Sequence, residues 1–416
     1  MSEATHSTRT ARFEARIKKR YAAEKRFKFL GLGAIVFSVT VLAVLLVSMT
    51  MNGIGGFQRA ELTVPVDFRS AGLTIDAKRL EDIDAVQALE TAGLSMLVES
   101  AAEEALGAEG AQQLGGDAWR EVAQAIIADP ALLQSEKTFH LPTNNAFAAA
   151  LRGEGREDLR PLAKELHDKG LFERRFDPGF LARSDATDPQ VVGIWGALKG
   201  SILTMLITLA LAFPIGVLAA LYLEEYAPKN RWTDLIEVSI NNLAAVPSII
   251  FGLLGLAVFL WIFPYYRSAP LIGGMTLALM TMPVIVISGR NAIKAVPPSI
   301  RDGALAIGAS PVQVVFHHVL PLALPGIMTG TIIGMARALG ETAPLLMIGM
   351  RAFVATPPDG FTSPATVLPV QIFLWSDEID RGFIERTSAA IIILLVFLLV
   401  MNGLAIYLRN RFEKKW

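Results

Sequence analysis

The sequence predicts an all-α polytopic membrane protein with six transmembrane helices and an extracytoplasmic domain, α-rich or α+β, inserted between helices 1 and 2. Three observations carry that prediction. The chain has 416 residues, 52% of them hydrophobic and only 19% charged, against about 25% charged in an ordinary soluble domain. Five apolar stretches free of charge, and a sixth with two charges, reach the roughly 20 residues that a bilayer core of about 30 Å demands. Charge is also segregated: residues 52–190 hold 14 basic and 24 acidic side chains, a balance of −10, and the remainder carries +9. That distribution lacks the basic folded surface of a nucleic-acid binder. With no cysteine, disulfide scaffolds, thiolate metal sites and cysteine nucleophiles are excluded.

In chain order, residues 1–28 form a basic tail with nine Lys and Arg between Arg9 and Lys28, suited to an anionic inner leaflet at ~1 kcal/mol per basic residue. Residues 29–51 are the first helix. Its uncharged run Phe29–Met49 exceeds the roughly 7–15 residues of a signal-peptide core, and Asn52-Gly53-Ile54-Gly55-Gly56 offers no small-x-small cleavage site, so the helix reads as retained. Residues 52–190 form the inserted domain. There Leu80, Ile83, Val86 and Leu89 recur every three residues, Leu162 and Leu166 stand four apart before a stop at Gly170, and Asp117 ahead of Trp119, Val122 and Ile126 has the form of a helix start. Strand signals are confined to Leu62–Val66 and Leu73–Ile75. Phe176–Pro189, with Asp-Pro at both ends and Gly179 between, reads as a linker back to the membrane. His140 and His167 have no neighbours at metal-ligand spacing and read as surface histidines; the carboxylates read as a solvated acidic face that repels a dianion.

Residues 195–408 hold the other spans, at about 197–223, 236–262, 270–289, 323–350 and 387–408, with a loop at 291–319 and a tail at 409–416. Lys and Arg in the short loops set the orientation. With the N-terminus inside, segments 1–28, 224–235, 290–318 and 409–416 hold 18 basic residues, whereas the short outer loops 263–269 and 351–386 hold 4. Both termini are therefore placed in the cytoplasm and residues 52–190 outside. Lys199 at the outer end of helix 2 reads as snorkelling, and Pro214, Pro247 and Pro283 as kinks.

The loop carries the most information. Pro297-Pro298 opens it, Ser299 can cap a helix through Arg301–Ile307, Gly308-Ala309-Ser310-Pro311 turns the chain, and a second helix runs through Val312–Val319 to Leu320-Pro321. Two short helices projecting between spans fit a groove on a cytoplasmic partner; from pattern alone, a loop that merely connects two spans fits equally. Asp302-Gly303-Ala304, three residues, Gly308, and then Leu320-Pro321 resembles the EAA loop of ABC importer permeases. The family pattern is Glu-Ala-Ala, three residues, Gly, nine residues, Ile, one residue, Leu-Pro; the departures are Asp302 for Glu, Gly303 for Ala and His318 for Ile. Further on, Arg337-Ala338-Leu339-Gly340-Glu341-Thr342 is similar to the Arg-Ala-x-Gly-Glu-Thr signature of phosphate ABC transporter permeases. Thr342-Ala343-Pro344-Leu345-Leu346 resembles the PstA type more than its PstC-type partner. The resemblance covers about 195–416. It implies the six-helix fold of a type I ABC importer permease in a bacterial inner membrane. It implies a docking loop whose Asp302, Gly303, Ala304, Gly308, Leu320 and Pro321 serve a cytoplasmic ATPase dimer. It also implies a second permease of the PstC type and a periplasmic phosphate-binding protein. ATP and Mg²⁺ would belong to the ATPase, with no cofactor in this chain.

Arg337 and Glu341 are the charges of the sixth apolar stretch. Arginine at a bilayer centre costs about 2.5–3.5 kcal/mol on insertion scales, so it must face a partner charge, protein or a watery path. Four residues apart on one helical face, the two can pair, although Arg-before-Glu is the weaker order. A planar guanidinium suits phosphate oxygens. Two readings stand: Arg337 lines the path and meets the anion, with Thr342 beside it and Glu341 holding it or gating release, or the pair is structural glue between subunits. Moving a dianion inward against 100 mV costs about 4.6 kcal/mol, and the chain has no GxxxxGK[ST] loop, so the driver must be a partner. The sequence therefore predicts a transport subunit without enzymatic activity, with membrane lipids around it and no nucleic acid. The alternatives are a permease for another oxyanion and, in a different class, a membrane-anchored receptor or signalling scaffold using the outside domain.

Overall fold

The computed structural model describes residues 2–69, 77–80, 84–150, 153, 156–351, 353–380 and 382–412, in two compact units, Met1–Asn52 and Gly53–Trp416. The first unit is helical: helix α1 runs Ser2–Gly56, and its stretch Lys19–Gly56 is long and apolar enough to cross a membrane. Phe29, Leu30, Leu32 and Ile35 are all exposed, and the uncharged run Phe29–Met49 is apolar all round, as a lipid-facing helix is.

The second unit begins with an antiparallel sheet of β1 (Gln58–Asp67), β2 (Glu136–Pro142) and β3 (Phe172–Phe176), in the order β2-β1-β3. Alternation along β1 sends Ala60, Leu62, Val64 and Val66 into a core. Helices α2 (Ala85–Thr91), α3 (Leu94–Ala111), α4 (Ala118–Ala128), α5 (Asn145–Ala150) and α6 (Arg160–Asp168) supply its other wall through Leu89, Val98, Val122, Phe147 and Leu166. Residues 58–176 are thus α+β. Trp119, Val122 and Ile126 are buried as the spacing demands, but Asp117 makes no side-chain cap and pairs with Arg120 instead, at 3.3 Å. The chain reverses at Gly170 with φ +71°, a left-handed conformation that glycine adopts without penalty. Leu62–Val66 lies within β1, β2 and β3 add strands that the pattern does not predict, and Leu73–Ile75 and Ile83 lie outside the described residues.

Phe176–Pro189 is not a linker. It contains helix α7 (Gly179–Ala182), and Phe180 is fully buried, its ring 5.8 Å from Phe57 and 6.3 Å from Trp375.

The remaining helices are α8 (Trp195–Leu221), α9 (Arg231–Ala244), α10 (Ser248–Leu254), α11 (Leu260–Ile262), α12 (Pro270–Lys294), α13 (Pro298–Ala306), α14 (Pro311–Gln313), α15 (Leu320–Gly340), α16 (Ala343–Met347), α17 (Leu368–Ser376) and α18 (Gly382–Phe412). Small residues bring α8 and α12 close: a Cβ on Gly274 would stand 2.5 Å from the Ile207 Cβ, and one on Gly216 would stand 2.8 Å from Ile285. Among the described residues five helices are long and apolar enough to cross a membrane, or six if a bent pair is one span.

Two expected spans are corrected. The one at 236–262 is bent by 104° between α9 and α10, because Pro247 has no N–H to continue the ladder and drives Val246 from helical geometry. The one at 323–350 stops at Gly340; Glu341 is non-helical at φ −80°, ψ 117°, and α16 restarts beyond it. Helices α12 and α18 outrun the expected 270–289 and 387–408. The second helix of the loop passes through a π turn, Val314–Val319, into α15.

Candidate functional site

Helix α15 has two faces. Gly330, Gly334 and Ala338 are buried in the bundle, whereas Gly326, Ile333, Arg337 and Gly340 are exposed. The Arg337 side chain is 46% exposed and its Nε stands 3.5 Å from Oε1 of Glu341, itself 19% exposed. The pair therefore forms across a helix end rather than along one helical face. Thr342 sits in the same break, its carbonyl accepting from Leu346 N–H at 3.0 Å. The three residues singled out from the sequence come together there. Helix α16 is fixed behind them by α10, where a Cβ on Gly252 would stand 2.6 Å from the Pro344 Cα. A guanidinium has five N–H donors; among the described residues Arg337 directs one of them at Glu341, leaving a fork that can take anion oxygens.

The second constellation is the loop around α13. Pro297 and Pro298 occupy its start and Ser299 caps nothing, a correction to the expected cap. Gly308 reverses the chain at φ +94°. Ser310 then opens α14 with a capping box: its Oγ accepts from Gln313 N–H at 3.3 Å while Gln313 Oε1 accepts from Ser310 N–H at 2.9 Å. Asp302 and Gly303 face outward, Ala304 is buried, and Leu320 and Pro321 are half-buried. Leu305, Ile307, Val312 and Phe316 are exposed, giving the projecting knob an apolar tip of the kind that marks an interaction surface. Nothing lies within 4 Å of a Cβ on Gly303, so the alanine of the family pattern would fit there.

Sequence reasoning missed a third constellation. Arg386, at the start of α18, is 2% exposed. It donates to Pro189 O at 2.7 Å, Gly56 O at 2.6 Å, and Gln190 O and Asp177 Oδ2 at 3.4 Å, and lies 5.0 Å over the Phe180 ring. Asp177 is equally buried and also accepts from Arg183 at 2.6 Å. Nearby, burial pushes the Asp185 and Asp188 carboxyls above the usual range. Burial acts to lower Arg59, but its hydrogen bond and charge pairing with Glu121, with Asp177 and Glu61 adding, raise it above the ordinary value. The available signal was an arginine one residue before an apolar span. His140 lies between Thr63 (3.2 Å) and Arg175 (2.9 Å), and His167 Nδ1 meets Phe172 O at 2.9 Å. Among the described residues no group of three His, Asp or Glu is placed to hold a metal.

Residues 212–414 match the family described as binding-protein-dependent transport system inner membrane component, and residues 14–160 match a domain of unknown function, DUF3333. The chain is 31% identical over 239 residues to the probable ABC transporter permease protein YqgI of Bacillus subtilis (strain 168), covering 54% of this chain and 80% of that one. It is 30% identical over 224 residues to the phosphate transport system permease protein PstA of Yersinia pestis, covering 54% and 73%. To PstA 1 of Mycobacterium tuberculosis (strain CDC 1551 / Oshkosh) it is 30% identical over 207 residues, covering 49% and 66%. A solved inward-facing MetNI methionine ABC transporter is 17% identical with a TM-score of 0.44, covering 53% of this chain and 98% of that chain.

Proposed function

The chain belongs to the ABC transporter permeases, in their PstA-type phosphate branch, and from that premise we propose that it is the membrane-spanning subunit of an ATP-driven importer of inorganic phosphate. The observation that carries the proposal is Arg337: it lies in a candidate span, Pro311–Gly340, yet is half exposed on a face that its own chain leaves open. Lipid is the wrong environment for that side chain. A second permease of the PstC type covers the face, and the anion passes between the two. Arg337 takes the phosphate oxygens, Glu341 holds the guanidinium between ions, and Thr342 offers a hydroxyl at the same break.

The chain is a transport subunit and not itself an enzyme. ATP and Mg²⁺ bind a cytoplasmic ATPase dimer, which seats on the apolar tip around Leu305 and Ile307, and this chain holds no cofactor. The bent pair α9–α10 counts as the third of six spans of a type I importer permease. Both termini are cytoplasmic, residues 52–190 lie on the periplasmic side of a bacterial inner membrane, and a phosphate-binding protein delivers the anion there.

The test is labelled-phosphate uptake at micromolar phosphate in cells carrying Arg337→Gln, with copurification of the subunits from the same membranes. Loss of a preorganised charge contact is expected to lower uptake roughly 100-fold while the complex still assembles. Normal uptake by an assembled complex would sink the assignment of Arg337 to the path. Uptake of labelled sulfate in preference to phosphate would move the chain to another oxyanion.

A further inference from the structure

We propose that Arg301 and Glu225 form the latch through which the cytoplasmic loop moves the membrane spans, a positioning pair for coupling that touches neither anion nor nucleotide. The proposal rests on the reading of the chain as an ATP-driven permease and adds how the stroke is transmitted.

Neighbouring residues of α13 divide the work. Asp302 is exposed, whereas Arg301 turns back into the bundle and is 23% exposed. Its fork makes four hydrogen bonds: Nε and Nη2 to Oε1 of Glu225, at 3.2 and 2.8 Å, Nη1 to Val296 O at 2.7 Å, and Nη2 to Ile293 O at 3.0 Å. Glu225, 13% exposed, sits in the π turn Tyr222–Tyr226 that ends α8. Ile293 lies in the last turn of α12, where its carbonyl also accepts from Val296 N–H at 3.2 Å, and Val296 lies two residues beyond that helix. One guanidinium therefore ties the docking helix to the cytoplasmic ends of two spans.

Those ends are tied to each other behind it. Glu224 meets Arg290 at 3.3 Å and Lys294 at 3.6 Å, both on α12, and Arg290 also reaches Glu237 of α9 at 2.9 Å. In that group Glu224 and Arg290 each have two partners, whereas Arg301 and Glu225 are paired with each other, so removing either of the latter leaves a partly buried charge without its counter-charge. Apolar anchoring of α13 is slight by comparison: Ala304 is its one buried residue among those described, with Ile300 half-buried beside it. A push delivered at Leu305 and Ile307 reaches α8 and α12 through whatever holds α13 to them, and that hold is chiefly Arg301.

The experiment uses the complete complex in proteoliposomes and reads phosphate imported per ATP hydrolysed. The Glu225→Gln complex is expected to assemble and hydrolyse ATP while that ratio falls roughly five- to tenfold, the lower end of the couplings usual between sites. Glu225→Asp is expected to recover part of the loss. Because the two residues act as one unit, Glu225→Gln/Arg301→Gln is expected to fall no further than the single variant. If Glu225→Gln does not assemble, Arg301→Lys carries the same test, since it keeps the charge and loses the fork. An unchanged ratio in either assembled variant, or losses that multiply in the double variant, would overturn the latch. A wild-type complex that hydrolyses ATP and moves no phosphate would overturn the functional reading beneath it.

Discussion

Among the arginines in the candidate spans, Arg386 and Arg337 are treated by the fold in opposite ways. Arg386 is 2% exposed, with four oxygen acceptors and an aromatic ring around its guanidinium. Arg337 is half exposed, with a single 3.5 Å approach to Glu341. The first has its hydrogen-bonding capacity filled by its own chain and serves the fold. The second is left open, and the open one is the candidate for work on something that arrives from outside. Removing a partner from a buried ion pair costs about 3–5 kcal/mol, whereas exposed pairs contribute about 0–1 kcal/mol.

That contrast can be broken directly. Arg386→Met is expected to lose about 3–5 kcal/mol, read as a fall in membrane abundance and in the thermal midpoint of the detergent-solubilised protein. Arg337→Gln should lose less than about 1 kcal/mol by the same measurements. Equal losses would erase the distinction. Next in size is Gly56→Ala, because a Cβ there would overlap the Glu385 carbonyl and push the end of α1 off the helix that carries Arg386. Overpacking of this kind costs about 1–3 kcal/mol, and an unshifted midpoint would mean that α18 yields freely.

Asp185 sharpens the picture of the Arg386 region with a pH signature. Burial raises its folded-state pKa above the unfolded one, so the ionised form costs stability at pH values above the folded pKa, and the cost fades as pH falls through it. Asp185 accepts from Trp375 Nε1 at 3.0 Å, a bond that an asparagine oxygen can keep. Asp185→Asn is therefore expected to raise the midpoint at neutral pH and to flatten its pH dependence on the acid side. A lower midpoint at neutral pH would show that the charge itself holds this region together. The smallest effect is Gly303→Ala, which fills open space on α13 and is expected to add about 0.5–1 kcal/mol, visible as a slightly higher midpoint.

The sequence disclosed what depends on local chemistry. The apolar runs announced the long helices, Gly308 and Gly170 announced reversals, and Arg337, Glu341 and Thr342 stood together in one motif. What it withheld depends on chain segments far apart. Asp177-Pro178-Gly179 reads as a turn, and the backbone does turn there, but nothing local says that Phe180 and Asp177 will be buried by Trp375 and Arg386, roughly two hundred positions on. Pro247 gave notice of a kink, yet only packing of α10 against α16 decides that the kink becomes a fold-back. Strands β2 and β3 escaped because each has few inward residues: Phe139 and Leu141 in one, Phe172 in the other. Charged residues along a sheet edge imitate a loop. Glu224 and Glu225 follow an apolar run, but their partners Arg290, Lys294 and Arg301 come from another segment, which no local pattern discloses.

The way the sheet is threaded has a genetic reading. The amide of Asp177 donates to the carbonyl of Phe57 at 2.8 Å, and Gln58 faces Phe176 across β1 and β3. Everything between those residues leaves from and returns to one point, as a loop of rope does at a cleat. Two positions already paired as in a hairpin can be joined by a two-residue turn. The intervening stretch therefore begins and ends at neighbouring points of one sheet, so a change in its length leaves the pairing of its two ends in place.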